Sequence, residues 1–139
     1  MVIMRLQIIK ANKLKTTVVN LRKSEYDVYI GRAGHGQDGY FGNPFPLEND
    51  DREACLEKYK QHFYKRIETD PEFLLRINEL KGKRLGCFCY PKMCHGMIIV
   101  EYLEGISVRE QMTLAIFDKL NLVAKPIPPK ETTDLIDFN

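Results

Sequence analysis

Three of the four cysteines and one of the three histidines fall within Gly86-Cys-Phe-Cys-Tyr-Pro-Lys-Met-Cys-His-Gly96, and these residue types at this density can do chemistry. Zinc is one reading. Thiolates and imidazole are its preferred ligands, so Cys87, Cys89, Cys94 and His95 could close a tetrahedral site. The spacing is awkward, because Cys-x-Cys on a strand sets the two backbones about 6 to 7 Å apart, and adjacent residues at a helix start point different ways. A reactive or ligand-binding thiol site is the second reading. Cys94 falls where a loop becomes a helix, and unpaired N–H groups there lower a thiol pKa and attract anions. His95 beside it titrates near neutrality and suits acid or base work, so Cys94 and His95 are the candidate catalytic pair. The third reading is packing, since cysteine is small and easily buried; it fits Cys87, on the same strand face as Leu85, better than Cys94.

A second stretch carries chemistry of another kind. Residues 31–46 hold five of the nine glycines and two prolines, which marks a loop that a ligand can approach closely. No helix follows at once, so it is neither a dinucleotide fingerprint nor a phosphate loop. Arg32 offers a fork of donors to a phosphate or carboxylate, or is a surface arginine. Asn43, between Gly42 and Pro44, can read a base or sugar edge or hold the turn through backbone bonds. Tyr40, Phe41 and Phe45 can stack on a base or anchor the loop, and His35 sits between two glycines with no partner in sequence.

The elements that position these loops are legible from periodicity. Residues 2–9 form a candidate first strand; residues 16–21 and 27–30 are stronger ones, and the short polar link between them suits a hairpin. Asp50 with Glu53 resembles a capping box for a helix to about Ile67, with Cys55, Tyr59, Phe63 and Ile67 as its buried stripe. Asp70-Pro71 starts a second helix with Leu74, Ile77 and Leu80 inward, and Gly82 stops it. Residues 84–89 are a strand, Tyr90-Pro91 a turn, and Cys94-His95-Gly96 opens a helix apolar nearly all round and therefore buried. Gly105 ends that helix, and Ser107 with Glu110 caps a last one to about Leu120. If the two loops follow strands of one α/β sheet, they meet as one pocket beyond the strand ends.

Length and composition bound the rest. A chain of 139 residues, 44% hydrophobic and 29% charged, fits a single α/β domain over residues 1–123. Residues 124–139 read as a proline-containing, flexible tail whose acidic-apolar end, residues 134–139, is a frayed terminus before it is a short peptide for docking to a protein partner. A net charge of +2, from 21 basic and 19 acidic residues, gives no bulk electrostatic support to nucleic-acid binding. No apolar run approaches the roughly 20 residues of a membrane span, and no signal peptide is visible. The expected location is the cytoplasm, where thiols stay reduced and clustered cysteines read as ligands or reactive groups before disulfides.

Taken together, residues 18–22, 27–32, the Phe41-Gly-Asn-Pro-Phe45 motif and Gly82-Lys-Arg-Leu-Gly-Cys-Phe-Cys-Tyr-Pro-Lys-Met-Cys-His-Gly96 resemble a family of small bacterial and phage proteins catalogued as domain of unknown function 4326. The likeness spans about residues 16–102. The matching motif residues are Arg32, Gly42, Asn43, Pro44, Cys87, Cys89, Pro91, Cys94, His95 and Gly96. This chain departs where the family pattern usually has an acid after Cys-His-Gly; here it is Met97. Cys55 matches no family motif.

The expectation is an α/β fold, a small mixed sheet of three to four strands with about four helices, Rossmann-like at the cysteine-rich strand-turn-helix. The expected function is a pocket for a nucleotide or nucleoside-like phosphorylated molecule, in an enzyme that cleaves a glycosidic or phosphate bond. Arg32, Gly42, Asn43, Phe45 and Cys89 bind the ligand, and Cys94 and His95 react. One alternative, which Met97 favours, is a non-catalytic module stiffened by zinc that binds protein or nucleic acid. Another is a phage-type inhibitor or nucleotide sponge. The cofactor is none or zinc.

Overall fold

Three short strands lie side by side, β1 (Thr17–Asn20), β2 (Val28–Tyr29) and β3 (Arg84–Cys87), in the order β1-β3-β2. Both pairings are parallel, with Val18 and Val28 opposite Leu85 on either side of the central strand. The computed structural model describes residues 15–120. The candidate first strand and the tail lie outside the described residues. One unit comprises residues 14–112; a second comprises residues 1–13 and 113–139, of which only residues 113–120 are described.

The expected hairpin between the first two of these strands does not form, because β3 inserts between them and each pairs with it instead. The mixed pairing expected of the sheet is likewise not found among the described strands. Residues 21–27 are a crossover rather than a hairpin turn, and Gly86 explains how they fit. A Cβ at Gly86 would lie 2.7 Å from Cγ of Tyr26, so only a glycine in the central strand lets the crossover lay its aromatic ring on the sheet. Asp27 then clamps the start of β3: its carboxylate accepts from the Arg84 backbone N–H at 2.7 Å and pairs with the Arg84 guanidinium at 2.9 Å.

The helices cover the other face. In β3, Leu85 and Cys87 are fully buried there, and Gly96 at the start of α3 (Gly96–Glu104) meets Val18 and Ile30 so closely that a Cβ would fall 2.7 Å from Cδ1 of Ile30. Helix α3 is buried at six of its nine positions, which is why its sequence is apolar nearly all round. Gly105, at φ 73°, ends it. Ser107 and Glu110 then exchange the reciprocal bonds of a capping box, at 3.2 and 3.1 Å, to start α4 (Val108–Leu120). Among the described residues no helix is long and apolar enough to cross a membrane.

Two helices join β2 to β3. The cap of α1 (Arg52–Thr69) is Asp51, which accepts from Ala54 N at 3.0 Å, one residue later than expected. Its buried stripe is Leu56, Tyr59 and Phe63, and Cys55 is only half-buried, so the expectation of a core cysteine there is corrected. Helix α2 (Pro71–Asn78) buries Phe73 and Ile77, with Phe73 in the place expected of Leu74. Asp70 serves both helices. Its backbone N–H donates to Arg66 O at 2.8 Å to close α1, and its carboxylate accepts from Phe73 N at 3.1 Å to open α2. Asp70→Ala is expected to cost about 1 kcal/mol, in the range of lost N-caps, read as a lower urea midpoint with an unchanged slope.

Candidate functional site

The two loops singled out by composition follow β2 and β3, and parallel strands bring both to the same end of the sheet. Several bonds fix them there. Asn20 at the end of β1 donates through Nδ2 to the carbonyls of Tyr90 at 2.8 Å and Phe88 at 3.3 Å, which holds the cysteine loop from below. Arg52, at the first turn of α1, reaches the Met93 carbonyl at 3.4 Å from above. On the other side Tyr29 Oη donates to Arg32 O at 2.8 Å, and Arg32 Nη2 donates to Phe45 O at 2.6 Å. The glycine loop is thereby folded over its own arginine.

Between the loops lies a cavity of about 390 Å³. Arg32, His35, Asn43, Cys87, Cys89, Cys94 and His95 line it, with Tyr29, Arg52, Cys55, Phe88 and Met93. Among the described residues, no aspartate or glutamate does. Of the residues expected to bind ligand, Gly42 and Phe45 stand off the wall and shape the loop instead. A Cβ on Gly42 would fall 2.6 Å from the Gly31 carbonyl, so the glycine permits a close pass of backbone on backbone. Phe45 packs edge-on against His62 and lends its carbonyl to Arg32. Asn43 holds the turn, accepting from Phe45 N at 2.9 Å while its Nδ2 donates to Cys55 Sγ at 3.4 Å.

The thiols form a chain. Cys87 Sγ lies 3.3 Å from Cys94 Sγ, with both residues buried, and the backbone N–H of Cys89 donates to Cys87 Sγ at 3.4 Å. Cys94 carries the depressed pKa: the bond from Cys87 lowers it most, and the amides of Gly96 and Met97 at the start of α3 add to this against the opposing effect of burial. Cys87 feels a lowering bond from Cys89, but its bond to Cys94 and its burial prevail and push it up to about 11. Cys89 is raised further, by its bond to Cys87 and then by desolvation. Of the three thiols, Cys94 is thus the one whose pKa is lowered, chiefly by Cys87 and to a lesser degree by the amides at the helix start.

His95 also lines the cavity, but its Nε2 is engaged away from the sulfurs. It precedes the first residue of α3, and its Nε2–H donates to the Ile30 carbonyl at the end of β2, while its ring meets Tyr59 edge-on at 5.2 Å. The acceptor is a carbonyl, so Nε2 carries the proton. Burial holds the ring below its ordinary pKa, the Ile30 carbonyl opposes that, and Arg32 adds to it. His95 thus ties α3 to β2. The chain of donors expected for zinc breaks at this residue, and among the described residues no group of three or more His, Cys, Asp or Glu has metal-holding geometry. Met97, in place of the acid usual in the resembling family, is fully buried in the core.

Sequence reasoning missed Arg52, Tyr29 and Phe88. Phe88 is 48% exposed beside the two half-buried or buried cysteines, with Tyr29 at 6.4 Å edge-on and the Arg22 guanidinium 5.0 Å over its ring. An exposed aromatic inside a cysteine motif is a signal that the sequence does carry. Arg52 had none, since nothing in the chain before it says which loop the first turn of α1 will face.

The family model described as "Domain of unknown function (DUF4326)" matches residues 13–105. Over 89 residues the chain is 40% identical to the "Uncharacterized 12.4 kDa protein in nrdA-td intergenic region" of Enterobacteria phage T4, an alignment covering 64% of this chain and 78% of the phage protein. No solved structure matches the chain. The family match takes in both loops of the cavity and the three strands of the described residues, and the chain belongs to the DUF4326 family.

Proposed function

We propose that the cavity binds an anionic, nucleotide-like small molecule and that the protein acts on it through Cys94. The observation that carries this reading is a cavity of about 390 Å³ at the ends of parallel strands, lined among the described residues by two arginines and no carboxylate. Its size suits a single small ligand. Arg32 and Arg52 take the phosphate, in the fork-like manner of guanidinium groups. Phe88 and Tyr29 offer a face and an edge to a base, a role first expected of Phe45. Cys94 is the nucleophile, aimed at a glycosidic carbon or a phosphorus atom. The bond to the leaving group breaks with its electron pair, and water then releases the other half and restores the thiolate.

Thermal shift with nucleoside monophosphates, and with inorganic phosphate as the bare anion, tests the reading. A ligand at about 100 times its dissociation constant adds roughly 2.7 kcal/mol to the folded state. The expected result is a clear rise in Tm with a nucleotide, a smaller one with phosphate, and a roughly 10- to 100-fold weaker affinity in Arg52→Gln or Arg32→Gln, the worth of one charged hydrogen-bonding group. No rise with any of these anions overturns the reading. Binding with no product formed over hours separates a sponge from an enzyme.

A second reading, the zinc-stiffened module, draws support from the Cys87–Cys94 sulfur pair and needs Cys89 to move to it, since among the described residues the three do not stand in metal-holding geometry. It requires a fourth ligand other than His95 as placed. Elemental analysis of protein purified without chelator discriminates: about one zinc per chain, lost in Cys94→Ser, would favour the module over the thiol.

A further inference from the structure

The two buried sulfurs of Cys87 and Cys94 do something that neither ligand binding nor a single nucleophile requires: they face each other at 3.3 Å across the end of β3 and the start of α3. We propose that Cys87 and Cys94 are a two-electron dithiol centre that reduces hydrogen peroxide or a small organic hydroperoxide and closes to an intramolecular disulfide. The proposal shares Cys94 with the pocket reading and otherwise stands apart from it, on the sulfur geometry.

A disulfide needs the sulfurs at about 2.05 Å, roughly 1.3 Å nearer than they stand. They sit on separate elements joined by residues 88–93, none of which is buried, so the connecting loop can adjust as the gap closes. Access comes from the cavity, whose wall includes both residues, and a peroxide is small enough to enter it. Roles follow from the partners. Cys94 Sγ stands 3.3 Å from Cys87 Sγ at the start of α3, and that pairing and the nearby amides of Gly96 and Met97 lower its pKa, so it is the sulfur prepared to carry charge and attack. Cys87 holds its proton and resolves.

The chemistry balances without any further reactant. The Cys94 thiolate attacks one oxygen of the hydroperoxide, the O–O bond breaks, and the departing alkoxide or hydroxide takes a proton to leave as alcohol or water. Cys94 is now a sulfenic acid. Cys87 sulfur attacks Cys94 sulfur, the S–O bond breaks, and the hydroxyl departs with the Cys87 proton as water. Two thiols give up two electrons and two protons, the peroxide accepts them, and a thiol reductant returns the disulfide to the starting state.

The test uses the full chain, reduced and freed of reductant, treated with hydrogen peroxide from equimolar to tenfold excess. The expected result is loss of two of the four free thiols, a fragmentation spectrum that joins Cys87 to Cys94, and full recovery with dithiothreitol. Cys89→Ser should keep the link. Cys87→Ser should lose it and leave Cys94 as a sulfenic acid trapped by dimedone. Survival of all four thiols at tenfold excess overturns the proposal, as does a link from Cys94 to Cys89 or one that persists in Cys87→Ser. Should Cys87→Ser fail to fold, the wild-type fragmentation spectrum decides by itself. A nucleotide shift without peroxide reactivity, or the reverse, tells which of the two readings has failed.

Discussion

Phe63→Ala is expected to lower the unfolding free energy by about 3–5 kcal/mol, the cost of truncating a fully enclosed phenylalanine. The ring is 0% exposed and stands where three helices meet. It contacts Tyr59 and Tyr64 along α1, Phe73 of α2 at 5.6 Å and Tyr102 of α3 at 5.7 Å, three of the four in edge-to-face geometry. Its removal leaves a cavity walled by other aromatic rings, which are too stiff to collapse into it. Since native stability is on the order of 5–15 kcal/mol, the loss is a large share of the whole. Urea unfolding at neutral pH measures it. Phe63→Leu, which keeps most of the volume, should cost under about 1.5 kcal/mol. A loss below about 1 kcal/mol in Phe63→Ala would mean that the helices are not held through this ring.

Phe63 was legible in the sequence, while the residue eight positions before it was misread, and the reason is geometric. A strict four-residue repeat turns about 40° further round the helix at each step, since each residue advances about 100°. Cys55, Tyr59, Phe63 and Ile67 therefore cannot all face inward. The stripe starts at Leu56, and Cys55 is turned out towards Asn43 and Phe45, where it becomes part of the cavity wall.

Strand order was lost for a different reason. Residues 16–21 and 27–30 have the same alternation whether they pair with each other or flank a third strand, and the third strand arrives more than fifty residues later. Gly86, bare under the Tyr26 ring, records the crossover only once the partner is known. Local signals fared better because their partners are local: Asp70-Pro71, Gly105 and the Ser107–Glu110 pair all act as read. The candidate site lies between these cases. Its loops are local and were found from composition, whereas Arg52 enters through the packing of α1 above the cysteine loop.

Cys94 and His95 both line the cavity, yet they take different partners. Neighbours at a helix start diverge by about 100°, so the two side chains engage different groups. Cys94 pairs with the Cys87 sulfur, and His95 with the Ile30 carbonyl and the Tyr59 ring. A histidine whose Nε2–H is committed to a carbonyl, and whose ring is pressed against Tyr59, positions the helix that carries Cys94.

His95→Ala is accordingly expected to cost roughly 2–4 kcal/mol, the sum of a lost buried hydrogen bond, an orphaned carbonyl and a partial cavity. The pH dependence separates this role from proton transfer. Burial depresses the folded-state pKa of His95 below its ordinary 6.5. The neutral ring is the form that the fold favours, so its contribution is fully present above about pH 6.5 and is lost as pH falls through the folded value. His62 is lowered in the same direction by burial and by Arg66. Asp27 acts in a lower window: its bonds to Arg84 hold it at about 2 against an ordinary 3.8, so its contribution fades only below about pH 4. Wild-type stability should therefore begin to decline just below pH 6.5 and decline again below 4. In His95→Ala the first decline is shallower, with the remainder due to His62, and the second is unchanged. His95→Gln, which keeps an N–H for the Ile30 carbonyl but does not titrate, should recover part of the neutral-pH stability while the shallow first decline persists. An unaltered slope between pH 6.5 and 4 in both variants would show that His95 is not the buried neutral clamp, and would return it to the list of candidate proton carriers.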